Sequence, residues 1–161
     1  MLKGPMTITA AIVAAALAGC GGSSSKSSSG PSLSAFKSGF QAQKASFTAI
    51  GTDLRAAIAS ASSTSPSKIA TEFSSLASRT AQAASALRGL KPPVKYQTEV
   101  SQLAAGFDAI SADMTTVSSA AKNNDPTAAR TAAAKLVTDS ATIHNADLKL
   151  THELGLPTTG G

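Results

Sequence analysis

Between Tyr96 and Ala121 the large side chains climb a ladder that few folds accept. Tyr96, Val100, Leu103, Phe107, Ile110, Met114, Val117 and Ala121 are separated by alternating steps of four and three. That spacing keeps side chains on one stripe of a helix, and a heptad stripe is the seam of helices packed along their lengths. The preceding segment repeats it at Ile69, Phe73, Leu76, Thr80, Ala83, Leu87 and Leu90. The first segment has Phe36, Phe40, Gln43, Phe47, Ile50, Leu54, Ala57 and Ala61. The last has Ala129, Ala133, Leu136, Ser140, Ile143, Asp147, Leu150 and Leu154. Only 4% of the residues are aromatic although 42% are hydrophobic, so alanine carries much of the apolar content, and alanine favours helix. No stretch alternates in the β-branched and aromatic manner of a strand.

The breaks between the four segments are marked. Ser62 to Ser65 reads as a polar turn, and Ser65-Pro66 as a cap followed by proline at the first helical position. Pro92-Pro93 ends the second helix and starts the third, and Asp125-Pro126 repeats the cap-proline device before the fourth. Gly155, with Leu156-Pro157 behind it, predicts a helix stop of the Schellman kind. Connections this short make neighbouring helices antiparallel. The expected fold is all-α, an antiparallel up-down-up-down four-helix bundle over residues 33–156. Its helices would be roughly 40 Å long. Residues 157–161 read as a disordered tail, and two long coiled-coil hairpins are the alternative architecture. Gly39, Gly51 and Gly106 fall inside helices, where glycine costs about 1 kcal/mol; they either permit close helix crossings or are tolerated.

Ahead of the bundle the composition changes twice. Lys3 precedes an uncharged, mostly apolar run from Met6 to Leu17, which as a helix spans about 18 Å against a bilayer core of about 30 Å. A charged start, a short apolar core and small residues after it form a secretory signal over residues 1–19. The sole cysteine, Cys20, follows directly. Leu17-Ala18-Gly19-Cys20 resembles the lipobox of bacterial lipoproteins. The resemblance implies thioether lipidation of Cys20, cleavage before it, and acylation of the new amino terminus by a fatty acid such as palmitate. It also implies anchorage on the extracytoplasmic face of a cell membrane. The residues agree: a lone cysteine has no disulfide partner within the chain, and each buried acyl methylene contributes about 0.8 kcal/mol. Residues 20–32 then form a tether. Gly21 to Ser32 has no apolar side chain, so it cannot offset its ordering entropy by burial. Stretched it reaches about 40 Å, and as a coil roughly 20 Å.

Several chemistries lack their residues. Glu72, Glu99 and Glu153 have no histidine three positions later, as an inward-facing di-iron site requires. Met114 and His144 differ in height by roughly 15 Å in the expected bundle, too much for one haem iron. His144 and His152 are separated by about 12 Å of helical rise and do not share a metal. His144 and Asp147 can meet on one face, but two ligands do not make a specific site. No motif activates a serine or threonine as a nucleophile. With 14 basic and 9 acidic residues, one tyrosine and no tryptophan, the chain has a modest positive excess and no stacking platform for nucleic acid. The expectation is a non-enzyme without cofactor, metal or nucleic-acid partner.

Two candidate sites follow from the expected topology. Tyr96, His144 and Asp147, with Arg88 as a pairing partner, form a candidate polar layer. Lys37, Lys44, Arg88, Lys91, Lys95 and Lys149 gather at the end where the tether enters, against Glu99, Asp147 and Glu153. They form a candidate membrane-facing basic end. The functional expectation is a lipid-anchored binding or structural module of the cell envelope, its partners the membrane and an envelope protein. The alternative is a carrier or sensor of a small ligand inside the bundle. Replacing Cys20 with serine is expected to leave an uncleaved precursor without lipid, and uptake of labelled fatty acid by that variant counts against the anchor.

Overall fold

A computed structural model describes residues 32–158; the signal, Cys20, nearly all of the tether and the last three residues lie outside them. The described residues form four helices and no strand: α1 Leu33–Ser60, α2 Pro66–Gly89, α3 Gln97–Lys122 and α4 Pro126–Glu153. Short 3-10 turns at Ala61–Ser63 and Val94–Tyr96 stand in the first two connections.

Each boundary has a chemical cause. The Ser32 hydroxyl accepts from the Ala35 amide at 3.2 Å and caps α1. Pro66 occupies the first turn of α2, but the Ser65 side chain makes no capping bond. Asp125 accepts from the amides of Thr127 and Ala128 at 3.1 and 2.9 Å and opens α4. At the close of α4, Gly155 has φ +62°. The Leu156 amide reaches Thr151 O at 3.0 Å and the Gly155 amide reaches His152 O at 2.9 Å, which is the Schellman pattern. α3 closes the same way with Asn124 as the left-handed residue, φ 52°. There the Asp125 amide bonds Ala120 O at 2.9 Å, so Asp125 ends one helix and begins the next. Pro157, within the expected tail, instead has its carbonyl bound by Lys44 Nζ at 3.4 Å.

All eight heptad residues from Tyr96 to Ala121 are buried, and α3 packs against both α2 and α4. The α2–α3 contact is close and rich in small residues. Ser111 donates to Ala77 O at 2.8 Å and Ser118 to Ala70 O at 2.7 Å. α1 joins through larger groups: Phe47 lies 4.8 Å from Phe107 between ring centroids, and Phe36 stacks on Tyr96 at 5.8 Å. The expected columns depart from the buried stripe in three helices; in α2 Ala70 is buried while Ile69 is half-buried. In α1 the buried residue is Lys44 where the heptad pointed to Gln43. In α4 Ala132 is buried while Ala129 and Ala133 are half-buried. Neighbouring residues lie about 100° apart round a helix, so each shift reflects what the residue faces: Lys44 meets Thr151 of α4, whereas Gln43 lines a cleft beside α2.

The three interior glycines separate into two kinds. A Cβ at Gly106 would lie 2.7 Å from Ile143 Cγ1, and one at Gly39 would lie 2.8 Å from Leu90 Cδ2. A Cβ at Gly51 would meet nothing within 4 Å. Gly51→Ala is therefore expected to stabilise the fold by about 0.5–1 kcal/mol. Gly106→Ala should destabilise it by about 1–3 kcal/mol, because Ile143 has to move within packed surroundings. Urea unfolding of the two variants checks the pair; shifts of the same sign would mean that Gly106 has no packing role.

Candidate functional site

One end of the molecule brings together the first turns of α1, the α2–α3 connection and the last turn of α4. Phe36 stacks on Tyr96, Leu90 packs over Gly39, and the Tyr96 hydroxyl donates to Glu153 O at 3.5 Å. Pro92 and Pro93, which lack amide hydrogens, keep the connection out of helix until the 3-10 turn closes at Tyr96.

The six basic residues expected here have different circumstances. Lys91 and Lys95 are exposed and Lys37 is half-buried. None of these three has a carboxylate within 4.0 Å among the described residues. The Lys95 ammonium lies 5.1 Å from the centre of the Tyr96 ring, within reach of a cation–π attraction. Lys149 is exposed and lies 3.9 Å from Glu153, one turn away on its own helix. Arg88 is neutralised by Asp108, an acid that the sequence count of this end leaves out. The hydrogen bond to Asp108 holds the Arg88 guanidinium more firmly protonated than usual. Its partner is therefore not Asp147.

Lys44 departs furthest from expectation. It is 6% exposed, and its ammonium donates to Thr151 Oγ1 at 3.0 Å as well as to the Pro157 carbonyl. It belongs to the interior and offers no charge to an outside surface. A buried ammonium needs such acceptors, and Thr151 supplies one from the position beside Leu150 in the α4 seam. Thr151 was not legible as a site residue, since a threonine at a helix flank is common on exposed faces.

The expected layer of Tyr96, His144 and Asp147 does not assemble as one hydrogen-bonded group. Tyr96 is buried and bonds Glu153, and His144 is exposed. Asp147 is half-buried, and its Oδ1 is enclosed without a hydrogen-bond partner among the described residues, as are Ser140 Oγ and Glu99 Oε2. Burial pushes the Asp147 carboxyl above the usual carboxylate range, against the pull of Lys44 and then His144.

Two surface clefts lie elsewhere. One, of about 270 Å³, is lined by Gln43, Ser46, Arg79, Gln82, Ala83 and Ala86. The other, of about 520 Å³, runs between α3 and α4 past Asp113, Thr116 and Lys135. Lys135 donates to Asp113 at 3.0 Å and to Asp139 at 2.6 Å, filling the space between the two carboxylates. The Lys135 bond draws the Asp139 carboxyl down. Among the described residues no three His, Cys, Asp or Glu side chains converge as metal ligands.

No family model matches this chain, and no curated protein or solved structure matches it.

Asp147 carries a pH signature. Its folded carboxyl holds a proton more tightly than the unfolded one, whose pKa is about 3.9. Ionised Asp147 therefore costs stability at neutral pH, and the cost declines as pH falls below the folded value and is gone below the unfolded one. Asp147→Asn is expected to unfold at higher urea than the parent at neutral pH, with the gap closing as pH falls towards about 4. A gap that does not change with pH would remove the Asp147 charge as its cause.

Proposed function

We propose that this chain is a lipid-anchored, extracytoplasmic lipoprotein with a non-enzymatic binding or structural role at the cell envelope. In this reading it stands on the membrane by its basic end. One observation carries the reading. Ser32 and Leu33, where the tether enters, sit at the same end as Lys37, Lys91 and Lys95, three basic residues with no carboxylate within 4.0 Å among the described residues, a condition that Arg55, Lys122 and Arg130 share elsewhere on the chain. The lipobox at Cys20 supplies the anchor, and the tether is short enough to keep that end near the surface.

The antiparallel up-down-up-down arrangement is part of the proposal. It is supported by pairs in which rising numbers on one helix meet falling numbers on the next. Ala70 meets Ser118 and Ala77 meets Ser111; Gly106 faces Ile143, and Asp113 faces Lys135. Asp53 with Arg79 at 2.6 Å joins α1 to α2.

A second reading is favoured by Ser140 Oγ and Asp147 Oδ1, buried and unpartnered on α4. A polar molecule reaching about 10 Å along α4 would satisfy both. Native mass spectrometry of the purified protein distinguishes this carrier role by a co-purified mass.

The membrane reading has a direct test. Among the described residues the buried core lies between Phe36 and Leu154, so the chain from residue 20 onward, with Cys20→Ser, keeps that core without acyl chains. It should sediment with vesicles rich in phosphatidylglycerol and be released as salt rises. Each basic side chain near such a surface contributes about 1 kcal/mol, within a Debye length of about 8 Å. Lys91→Glu with Lys95→Glu should weaken binding far more than Lys122→Glu with Arg130→Glu. Equal losses, or no binding at low salt, would sink the orientation.

A further inference from the structure

Among the described residues three large apolar side chains are exposed: Leu33, Val94 and Val137. Val94 is the extreme case at 83%. It projects from a turn that is anchored from within. Pro92 and Pro93 are half-buried and fix their own backbone angles. The Tyr96 amide closes the turn on Pro93 O at 2.8 Å, and the Tyr96 ring is buried against Phe36. The outer side of the turn is left with Val94 between the exposed Lys91 and Lys95. Leu33 stands one helical turn before Phe36, at the same end. An apolar side chain held out on a stiff turn between lysines has the composition of a group that enters a lipid interface, the ammonium groups remaining at the phosphates.

We propose that Val94, with Leu33 at the same end, is the apolar contact of this end with an anionic lipid surface, Lys91 and Lys95 meeting the headgroup phosphates on either side. This rests on the reading that the basic end faces the membrane, and it adds partial insertion to electrostatic attraction. The occupant follows from two observations. Unneutralised lysines flank the valine, and the tether ends at Ser32, the residue before Leu33, so a lipidated Cys20 would hold the bilayer within about 40 Å of this patch. Val137 provides the contrast. It lies sixteen residues before Glu153, about 24 Å along α4 from the residue that meets Tyr96.

The chain contains no tryptophan, so one introduced tryptophan reports its own surroundings. The test uses the chain from residue 20 onward with Cys20→Ser, carrying Val94→Trp or Val137→Trp, and vesicles of phosphatidylglycerol or of phosphatidylcholine. With phosphatidylglycerol, Val94→Trp emission should move to shorter wavelength and be quenched by brominated acyl chains; Val137→Trp should not respond. Val94→Ser, which keeps every charge, should weaken sedimentation about five- to tenfold, with an unchanged helical dichroism spectrum. Binding without any response at Val94→Trp overturns the insertion and leaves the basic-end reading standing. Equal responses at both positions overturn the end-on contact. Equal response to phosphatidylcholine removes the role of the lysines. Absence of binding to either vesicle overturns this proposal and the reading beneath it, and points to a protein partner for the same patch.

Discussion

The Ser111 and Ser118 hydroxyls donate to backbone carbonyls of α2, and such bonds form only where two helices nearly touch. That closeness depends on alanine. Ala70, Ala77, Ala83, Ala84 and Ala104 are buried where larger side chains would hold the helices apart. Each alanine removes little apolar area from water, so larger neighbours such as Phe73, Leu76 and Leu87 on α2 and Leu103, Phe107 and Met114 on α3 supply most of the burial at this contact. Thr80, wholly buried, satisfies its hydroxyl on Leu76 O at 2.8 Å within its own helix. It therefore costs the interface no unpaired donor.

α1 obeys a different rule. Three of the five phenylalanines lie on it, and ring-to-ring contacts hold it further from its neighbours than α2 stands from α3. A wider seam admits long side chains, which explains Lys44: its methylenes line the seam and its ammonium finds oxygen at Thr151 and Pro157. The same width leaves Asp147 enclosed without a hydrogen bond. A buried charge is tolerated when its acceptors are in place, and the Lys44 ammonium holds Pro157, two residues beyond Gly155, against α1.

Much of this was legible in the sequence, and its limits have a physical origin. The α3 column is buried residue for residue because large apolar side chains fill seven of its eight positions, from Tyr96 to Val117, ahead of Ala121. The stop at Gly155 and the joint at Asp125-Pro126 were legible because only a few residue types perform those tasks. The α1 and early α4 columns drifted where polar or small residues left the stripe weakly specified, so geometry moved burial to Lys44 and Ala132. Pairing was beyond reach. Arg88 had several acids within plausible height, and its choice of Asp108 depends on helix rotation, which periodicity fixes only to within a residue. The exposure of Val94 was hidden for a related reason: whether a loop valine faces in or out is decided by Tyr96 two residues on.

The joint between α3 and α4 contains no spare residue. Asp125 closes one helix through its amide and opens the other through its carboxylate, so the two helices are indexed to each other by the covalent chain itself. Gly106 meets Ile143 at a distance along both helices that this joint sets. One residue added to either helix between joint and contact would turn that helix by about 100° and advance it by about 1.5 Å, and Ile143 would face a side chain instead of a gap. The pair therefore behaves as a gauge of fixed length, tolerant of exchange along its outer faces and intolerant of insertion.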